Sequence, residues 1–158
     1  MIVVSNTSPI NYLILIGYID LLPELFTQII IPQAVAQELS DASAPSPVQK
    51  WIQSPPPWLS IQSIDQLSEQ PVEGLDPGES EAILLAQALS SDLLLLDDMK
   101  ARQVATKRGC SITGTLGVLD QAAAMKRIDI SIAISRLKDT SFWISPNLLQ
   151  RLIDRHQV

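Results

Sequence analysis

Residues 75–102, LDPGESEAILLAQALSSDLLLLDDMKAR, decide the fold of this chain. The tetrapeptide Asp76-Pro77-Gly78-Glu79 is a helix-start signal, because aspartate caps free amides, proline suits the first helical position and Glu79 completes a capping-box-like spacing. A helical pattern follows, and the apolar run 93–96 then predicts a short strand buried on both faces. Asp97 and Asp98 come directly after that strand. Ligands of an open parallel sheet bind outside the carboxyl ends of its strands, so a site is expected there.

The rest of the chain repeats this alternation of short apolar runs with capped helical patterns. Such alternation predicts an α/β fold with three layers, α/β/α, around a central, mostly parallel sheet of four to five strands. Residues 58–64 are predicted as an extended segment or edge strand, and residues 65–74 as a connecting loop. The core strands are predicted near residues 2–5, 28–31, 93–96 and 110–113.

Length and composition favour one globular domain. The chain has 158 residues, 46% of them hydrophobic and 18% charged, which fits a folded core. We expect one domain over residues 1–158, with a core at about 2–127 and C-terminal helices at about 128–158. The lone Cys110 excludes an internal disulfide, which fits a reducing compartment such as the cytoplasm. No apolar run reaches the roughly 18 residues of a membrane span, so we expect neither a span nor a signal peptide.

The net charge of -6 is unevenly distributed along the chain. Residues 1–99 carry thirteen acids and one base, a net of -12, whereas residues 100–158 carry four acids and ten bases, a net of +6. Many of these charges are explained by ordinary solvated faces. The pattern also fits an acidic centre that needs cations, beside a basic surface that could hold phosphates.

Acidic or amide side chains follow or border the predicted core elements, and together they form the candidate site. Clustered oxygens of this kind bind Mg²⁺ or Mn²⁺. Zinc is disfavoured, because the chain has one histidine, His156, and one cysteine. Each candidate also has a structural interpretation as a helix cap, a turn residue or a solvated charge. The candidate catalytic residues are Asn6, Glu38, Glu79, Glu81, Asp97 and Asp98.

Five segments, in this order and spacing, resemble the PIN-domain nucleases, and more closely a subgroup similar to VapC-type toxins. The resemblance runs from about residue 2 to about residue 127. It implies a metal-dependent ribonuclease whose metal is Mg²⁺ or Mn²⁺. The segments are Val3-Val4-Ser5-Asn6-Thr7-Ser8-Pro9, Ile31-Pro32 through Glu38-Leu39, Gly78-Glu79-Ser80-Glu81-Ala82-Ile83, Leu96-Asp97-Asp98 with Arg102, and Thr113-Gly114-Thr115-Leu116-Gly117.

The resemblance also assigns roles by position. The family's acidic quartet falls on Asn6, Glu38, Glu79 or Glu81, and Asp98 or its neighbour Asp97. Glu38, Glu79 and Asp98 would be the metal ligands. Asn6 keeps an oxygen ligand but brings no negative charge, so we expect weakened activity. The residues expected to contact RNA are Thr7, Ser8, Lys100, Arg102, Lys107 and Arg108.

The expected partners are RNA, a small antitoxin protein and a second copy of the chain, with no membrane. The main alternative is a catalytically inactive PIN-like module that binds RNA or a protein partner. A phosphoacceptor domain of the receiver type also has an acidic pocket at strand ends. It would need a lysine after a late strand, where this chain has Thr113-Gly114.

Overall fold

A computed structural model of the chain describes residues 1–64 and 71–156. Its centre is a five-stranded sheet in which every pairing is parallel, in the order β3-β2-β1-β4-β5. Helices cover both faces, so the predicted three-layer α/β/α fold is confirmed. The strands are β1 (Val3–Ser5), β2 (Ile29–Pro32), β3 (Leu59–Gln62), β4 (Leu93–Leu95) and β5 (Ile112–Thr113).

The helices of the described residues separate the strands in sequence. None of them is long and apolar enough to cross a membrane. The helices are α1 (Thr7–Leu15), α2 (Leu21–Phe26), α3 (Gln33–Ser40), α4 (Ser46–Gln53), α5 (Pro77–Ala88), α6 (Met99–Lys107), α7 (Thr115–Ala124), α8 (Ile130–Lys138) and α9 (Pro146–Arg155).

Alternate residues of the central strands bury their side chains on opposite faces of the sheet. Val3 and Leu95 belong to the larger apolar cluster, with side chains from α1, α2, α3, α4 and the last three helices. Val4 and Leu94 belong to the smaller cluster, which α5 and α6 complete. All four side chains are fully buried. This two-sided burial is why the strands read as continuous apolar runs rather than as alternating patterns.

The four predicted core strands are present, with small shifts at their ends. The C-terminal core strand is shorter than predicted, since it begins at Ile112 rather than at residue 110. The segment predicted as extended or as an edge strand contains β3, which lies at one edge of the sheet. Residues 65–70 of the predicted connecting loop lie outside the described residues.

The strand order changes direction between β1 and β4, and this positions the site. The chain moves from β1 to β2 towards one edge, and from β4 to β5 towards the other. β1 and β4 are nevertheless direct neighbours, with Val4 opposite Leu94. The loops that leave their carboxyl ends therefore diverge, and such a switch point opens a crevice for ligands. Asn6 and Asp97 lie in those two loops.

Candidate functional site at the carboxyl ends of β1 and β4

Asn6 joins β1 to α1 and presents a buried oxygen at the crevice. Its backbone N–H donates to the Leu95 carbonyl oxygen at 2.9 Å, which fixes it against β4. The residue is 5% exposed, and its Oδ1 has no hydrogen-bond partner among residues 1–64 and 71–156. An N-cap side chain usually accepts from the second or third helical N–H, but the third residue of α1 is Pro9, which has none. The geometry therefore leaves this oxygen available to a ligand.

The first turn of α1 binds two carboxylates from distant parts of the chain. Thr7 Oγ1 donates to Glu38 Oε1 at 2.6 Å. Ser8 Oγ donates to Asp97 Oδ2, also at 2.6 Å. Asn6 precedes both hydroxyl residues directly. The α1 N-terminus thus links the carboxylate that follows β4 to the one carried by α3.

Asp97 is held between the N-termini of two helices. Besides Ser8, it accepts bonds from the backbone N–H and from Oγ1 of Thr115, both at 2.7 Å. Thr115 is the first residue of α7. The positive ends of α1 and α7 both favour a negative charge at this place. The preceding Gly114 lets the carboxylate approach, since a Cβ there would lie 2.6 Å from Asp97 Oδ1. Asp97 is therefore an oriented anion.

Glu38 reaches the site from α3 and contacts the start of α5. Burial is the main cause that raises the pKa of its carboxyl above 4.5, and the charges of Asp76 and Glu81 raise the pKa further. The hydrogen bond from Thr7 lowers the pKa and offsets part of this rise. The backbone amide of Gly78 also donates to this carboxylate. A Cβ at Gly78 would overlap the Glu38 carboxylate, so a larger residue there would force that carboxylate to move. Glu38 is a carboxylate whose charge becomes favourable when a cation compensates it.

Glu79 caps the start of α5, as its structural interpretation predicts, and its carboxylate also interacts with the charges of the other acids. It forms the predicted capping box, in which its N–H donates to Asp76 Oδ1 at 2.8 Å and the Asp76 N–H donates back at 3.2 Å. Burial is the main cause that raises the pKa of Glu79, and the charges of Asp76, Asp98 and Glu38 add to it. Glu79 is thus close enough to Glu38 and to Asp98 to be repelled by both.

The sequence left two choices open, between Asp97 and Asp98 and between Glu79 and Glu81. The structure shows that the members of each pair have different contacts. Asp98 is exposed and caps α6, accepting the Ala101 N–H at 2.9 Å, whereas Asp97 is half-buried and bound on three sides. Glu81 accepts the Ala34 N–H at 3.1 Å, at the N-terminus of α3. Both Asp98 and Glu81 therefore satisfy helix ends while they remain near the other acids.

The six residues predicted to contact RNA do not form one surface. Thr7 and Ser8 lie in the site, as described. Arg102 lies beside Asp97, where its Nη1 donates to the Leu96 carbonyl oxygen at 3.1 Å. Lys100 reaches towards Gly74, with Nζ 2.8 Å from the position of a Cβ at that glycine. Lys107 ends α6 and Arg108 follows it, about 11–12 Å along the helix axis from Lys100 at 1.5 Å per residue.

A groove beside Asp97 was missed by the sequence reasoning. It has a volume of about 690 Å³ and runs from Asp97 and Arg102 to α9. Its outer wall carries Trp143, which is 81% exposed, and Met99, which is 69% exposed. An exposed aromatic in the tail was the available signal, but nothing local placed it next to the acids. We refer to this cavity as the Trp143 groove.

The donor chemistry of the site fits a hard divalent cation, but few acids are in place to hold it. The available donors are carboxylate and amide oxygens, which Mg²⁺ and Mn²⁺ prefer. The unpartnered Asn6 Oδ1 fits a ligand role. Within residues 1–64 and 71–156, however, no three or more His, Cys, Asp or Glu side chains are arranged to hold a metal ion. The site therefore fits such a cation in kind, with weak affinity expected.

Comparison with known proteins supplies the family. A family model described as a PIN domain, DUF3368, matches residues 2–157. The chain belongs to the PIN-domain family. PIN domains generally use divalent metal ions. The structure of this PIN domain is also similar to that of a PilT N-terminus domain protein from the hyperthermophilic archaeon Sulfolobus solfataricus. The two superpose with a TM-score of 0.57 at 18% identity, over 77% of this chain and 93% of the other, which supports the shared fold. No curated protein matches the sequence.

Proposed function

We propose that this PIN domain is a divalent-metal-dependent endoribonuclease that hydrolyses RNA phosphodiester bonds with Mg²⁺ or Mn²⁺. The observation that supports it most is the α1 N-terminus. There the buried Oδ1 of Asn6, which has no partner, adjoins two hydroxyl groups that hold Glu38 and Asp97. Carboxylates drawn together at a sheet switch point are an arrangement suited to a cation and a phosphate.

In this proposal Glu38, Glu79 and Asp98, which are not arranged as a ready metal cluster in the structure, would move together to hold the ion, and Asn6 would add a neutral oxygen. An ion held there supplies Lewis-acid activation of water and neutralises charge on the scissile phosphate. Repulsion among the three carboxylates contributes to the raised pKa of Glu79, and a cation would remove that repulsion. Asp97, bound by Ser8 and Thr115, keeps its negative charge oriented towards the crevice.

Arg102 and the first turn of α1 would bind the RNA backbone. Arg102 lies next to Asp97, so its guanidinium can contact a phosphate adjoining the carboxylates. Thr7 and Ser8 lie at a helix N-terminus, which favours phosphate oxygens. Both hydroxyls already donate to carboxylates, so we assign their main role to holding Glu38 and Asp97.

Two observations favour a second candidate function, a catalytically inactive module that binds RNA or a protein. Position 6 carries an amide, and the described acids do not form a ready metal cluster. Both features reduce the negative charge available to a cation. We therefore propose that activity is weak in the unmodified chain.

The biological setting that we propose is a toxin–antitoxin pair of the VapC type. The sequence resemblance described above supports it. In this setting the chain acts in the cytoplasm as a homodimer and is neutralised by a small antitoxin protein. Co-expression with the product of a small neighbouring reading frame would test the pairing, since an antitoxin should copurify with the chain and suppress RNA cleavage.

Metal-dependent cleavage and its loss on Glu38→Gln test the proposed activity. The unmodified chain should cleave single-stranded RNA slowly with Mn²⁺ and should stop when EDTA removes the metal. Glu38→Gln should lower both the cleavage rate and the Mn²⁺ affinity at least tenfold, because it removes one carboxylate charge from the site. Glu24→Gln is the matched control, since Glu24 is on α2 and pairs with Arg127 at 3.9 Å.

Cleavage that persists in EDTA, or that Glu38→Gln leaves unchanged, would contradict the proposed mechanism. RNA binding without cleavage at any metal concentration would favour the inactive module instead. Binding of Mn²⁺ measured by calorimetry separates a failure to hold the metal from a failure of the chemical step.

A further inference from the structure

The Trp143 groove begins at the candidate site and extends away from it along the protein surface. Asp97 and Arg102 line one end, and Leu148, Leu152 and Arg155 of α9 line the other. A polymer whose reacting phosphate lies at the acids must continue in some direction. The groove gives it a continuous path that is about 690 Å³ in volume.

Trp143 is held outward by well-anchored neighbours. The Phe142 ring packs edge-on against Tyr12 of α1, with centroids 4.9 Å apart and planes at 80°. The Phe142 N–H donates to Thr140 Oγ1 at 3.1 Å, and Ser145 caps α9 through the Leu148 N–H at 3.2 Å. Between these anchors, Trp143 remains 81% exposed. An exposed indole on a fixed backbone presents a flat face at low entropic cost.

Two arginines line the same groove beside two acids, Asp97 and Asp120, and can donate to phosphate oxygens. Arg102 contacts the Leu96 carbonyl, and Arg155 pairs with Asp120 at 3.1 Å while its side chain stays 67% exposed. A guanidinium has five N–H donors, so these contacts leave donors for phosphate oxygens. Arg151 lies one turn before Arg155 on α9 and is exposed. An exposed aromatic ring that shares a groove with guanidinium groups is a combination that binds unpaired nucleic-acid strands.

We propose that the Trp143 groove binds single-stranded RNA next to the cleavage site, with one unpaired base stacked on Trp143 and the adjoining phosphates on Arg102 and Arg155. The inference rests on the proposed function for its substrate and adds Trp143 and Arg155 as residues that hold the strand. A duplex keeps its bases stacked on one another and cannot offer a free face to the indole. A helix of a protein partner would use the apolar wall but would leave the arginines without phosphates.

Binding without metal tests the groove separately from catalysis. The probe is a fluorescein-labelled octauridylate, measured by anisotropy in EDTA at low salt, alone and annealed to its complement. Trp143→Ala should weaken binding of the single strand by about 5- to 150-fold, the range expected for one stacked base. Trp143→Phe should retain most of the affinity. Met125→Ala should have no effect, because Met125 is also exposed but follows the far end of α7.

The outcomes divide cleanly between the groove and the cleavage chemistry. A Trp143-dependent affinity in a chain that never cleaves RNA would support the groove and refute the proposed activity. Metal-dependent cleavage with equal affinities for Trp143→Ala and the unmodified chain would overturn the groove and leave the activity standing. Absence of single-strand binding, or equal binding of the duplex, would also overturn it. So would a Trp143→Ala change that leaves RNA binding intact but abolishes self-association in sedimentation, since the groove would then hold a second copy of the chain.

Discussion

Asn6→Asp should strengthen Mn²⁺ binding. Asn6 supplies a neutral oxygen at a position that is 5% exposed, so a carboxylate there would act on the ion with little screening by solvent. Two unit charges 4 Å apart interact by about 1 kcal/mol in water and about 4 kcal/mol at an effective dielectric of 20. The double charge of the ion increases the gain, and repulsion from Glu38 and Asp97 offsets part of it. A net of about 1–4 kcal/mol lowers Kd between about fivefold and roughly a thousandfold.

Calorimetry with Mn²⁺ on both proteins measures this gain, and an RNA cleavage assay shows whether activity rises with it. Without metal, the variant should unfold at a lower temperature than the unmodified chain, because a buried carboxylate then has no counter-charge. Asn147→Asp is the control, since it changes the net charge equally at an exposed position of α9.

Two results would refute the reasoning about Asn6. Equal Mn²⁺ affinities for Asn6→Asp and the unmodified chain would show that position 6 does not face the metal. Fast cleavage by the unmodified chain, abolished by Glu38→Gln, would show that the amide is no handicap to catalysis.

Two further predictions concern the carboxylate of Glu38. Gly78→Ala should destabilise the protein by about 1–3 kcal/mol and weaken Mn²⁺ binding, because its methyl group would overlap that carboxylate. In urea unfolding, the double variant Gly78→Ala, Glu38→Ala should recover part of the lost stability. Purely additive effects of the two substitutions would argue against the contact. Glu38 and Glu79 both have a pKa raised above 4.5, so their favourable contribution to metal-free stability is complete below about pH 4.5 and is lost as the pH rises through the folded-state values. Urea midpoints in EDTA across this range should fall less steeply with pH in Glu38→Gln, and identical slopes would contradict the assignment.

Local signals in the sequence were sufficient for most of the fold. Continuous apolar runs located the core strands, and the spacing of Asp76 and Glu79 identified the capping box that starts α5. These features depend on neighbours within a few residues, where steric preference and hydrogen bonding act directly. β5 was predicted too long, because Cys110 continues the apolar pattern after Gly109 without pairing in the sheet.

The arrangement of the site depends on contacts between residues that are far apart in the sequence, and no local pattern indicates such contacts. Sequence reasoning could not choose between Glu79 and Glu81, which lie two residues apart on different sides of one helix. The structure distinguishes them by a hydrogen bond that Glu81 accepts from the backbone N–H of Ala34, 47 residues away. The Trp143 groove was missed for the same reason, since its walls come from α6, α7, α9 and the segment before α9. Only the packing of these elements places an aromatic in the tail beside Asp97.

Pro9 gives α1 an imperfect beginning, and this has a consequence for how the chain can change. A residue with an N–H at position 9 would offer the Asn6 side chain the hydrogen bond that helix starts normally make. Such a chain would gain a more stable helix, and the buried Asn6 oxygen would no longer be unpaired. Selection for thermal robustness and selection for ligand contact would therefore act in opposite directions on this one proline. Stabilised variants that replace it should be screened for metal binding before they are trusted as faithful substitutes for the natural chain.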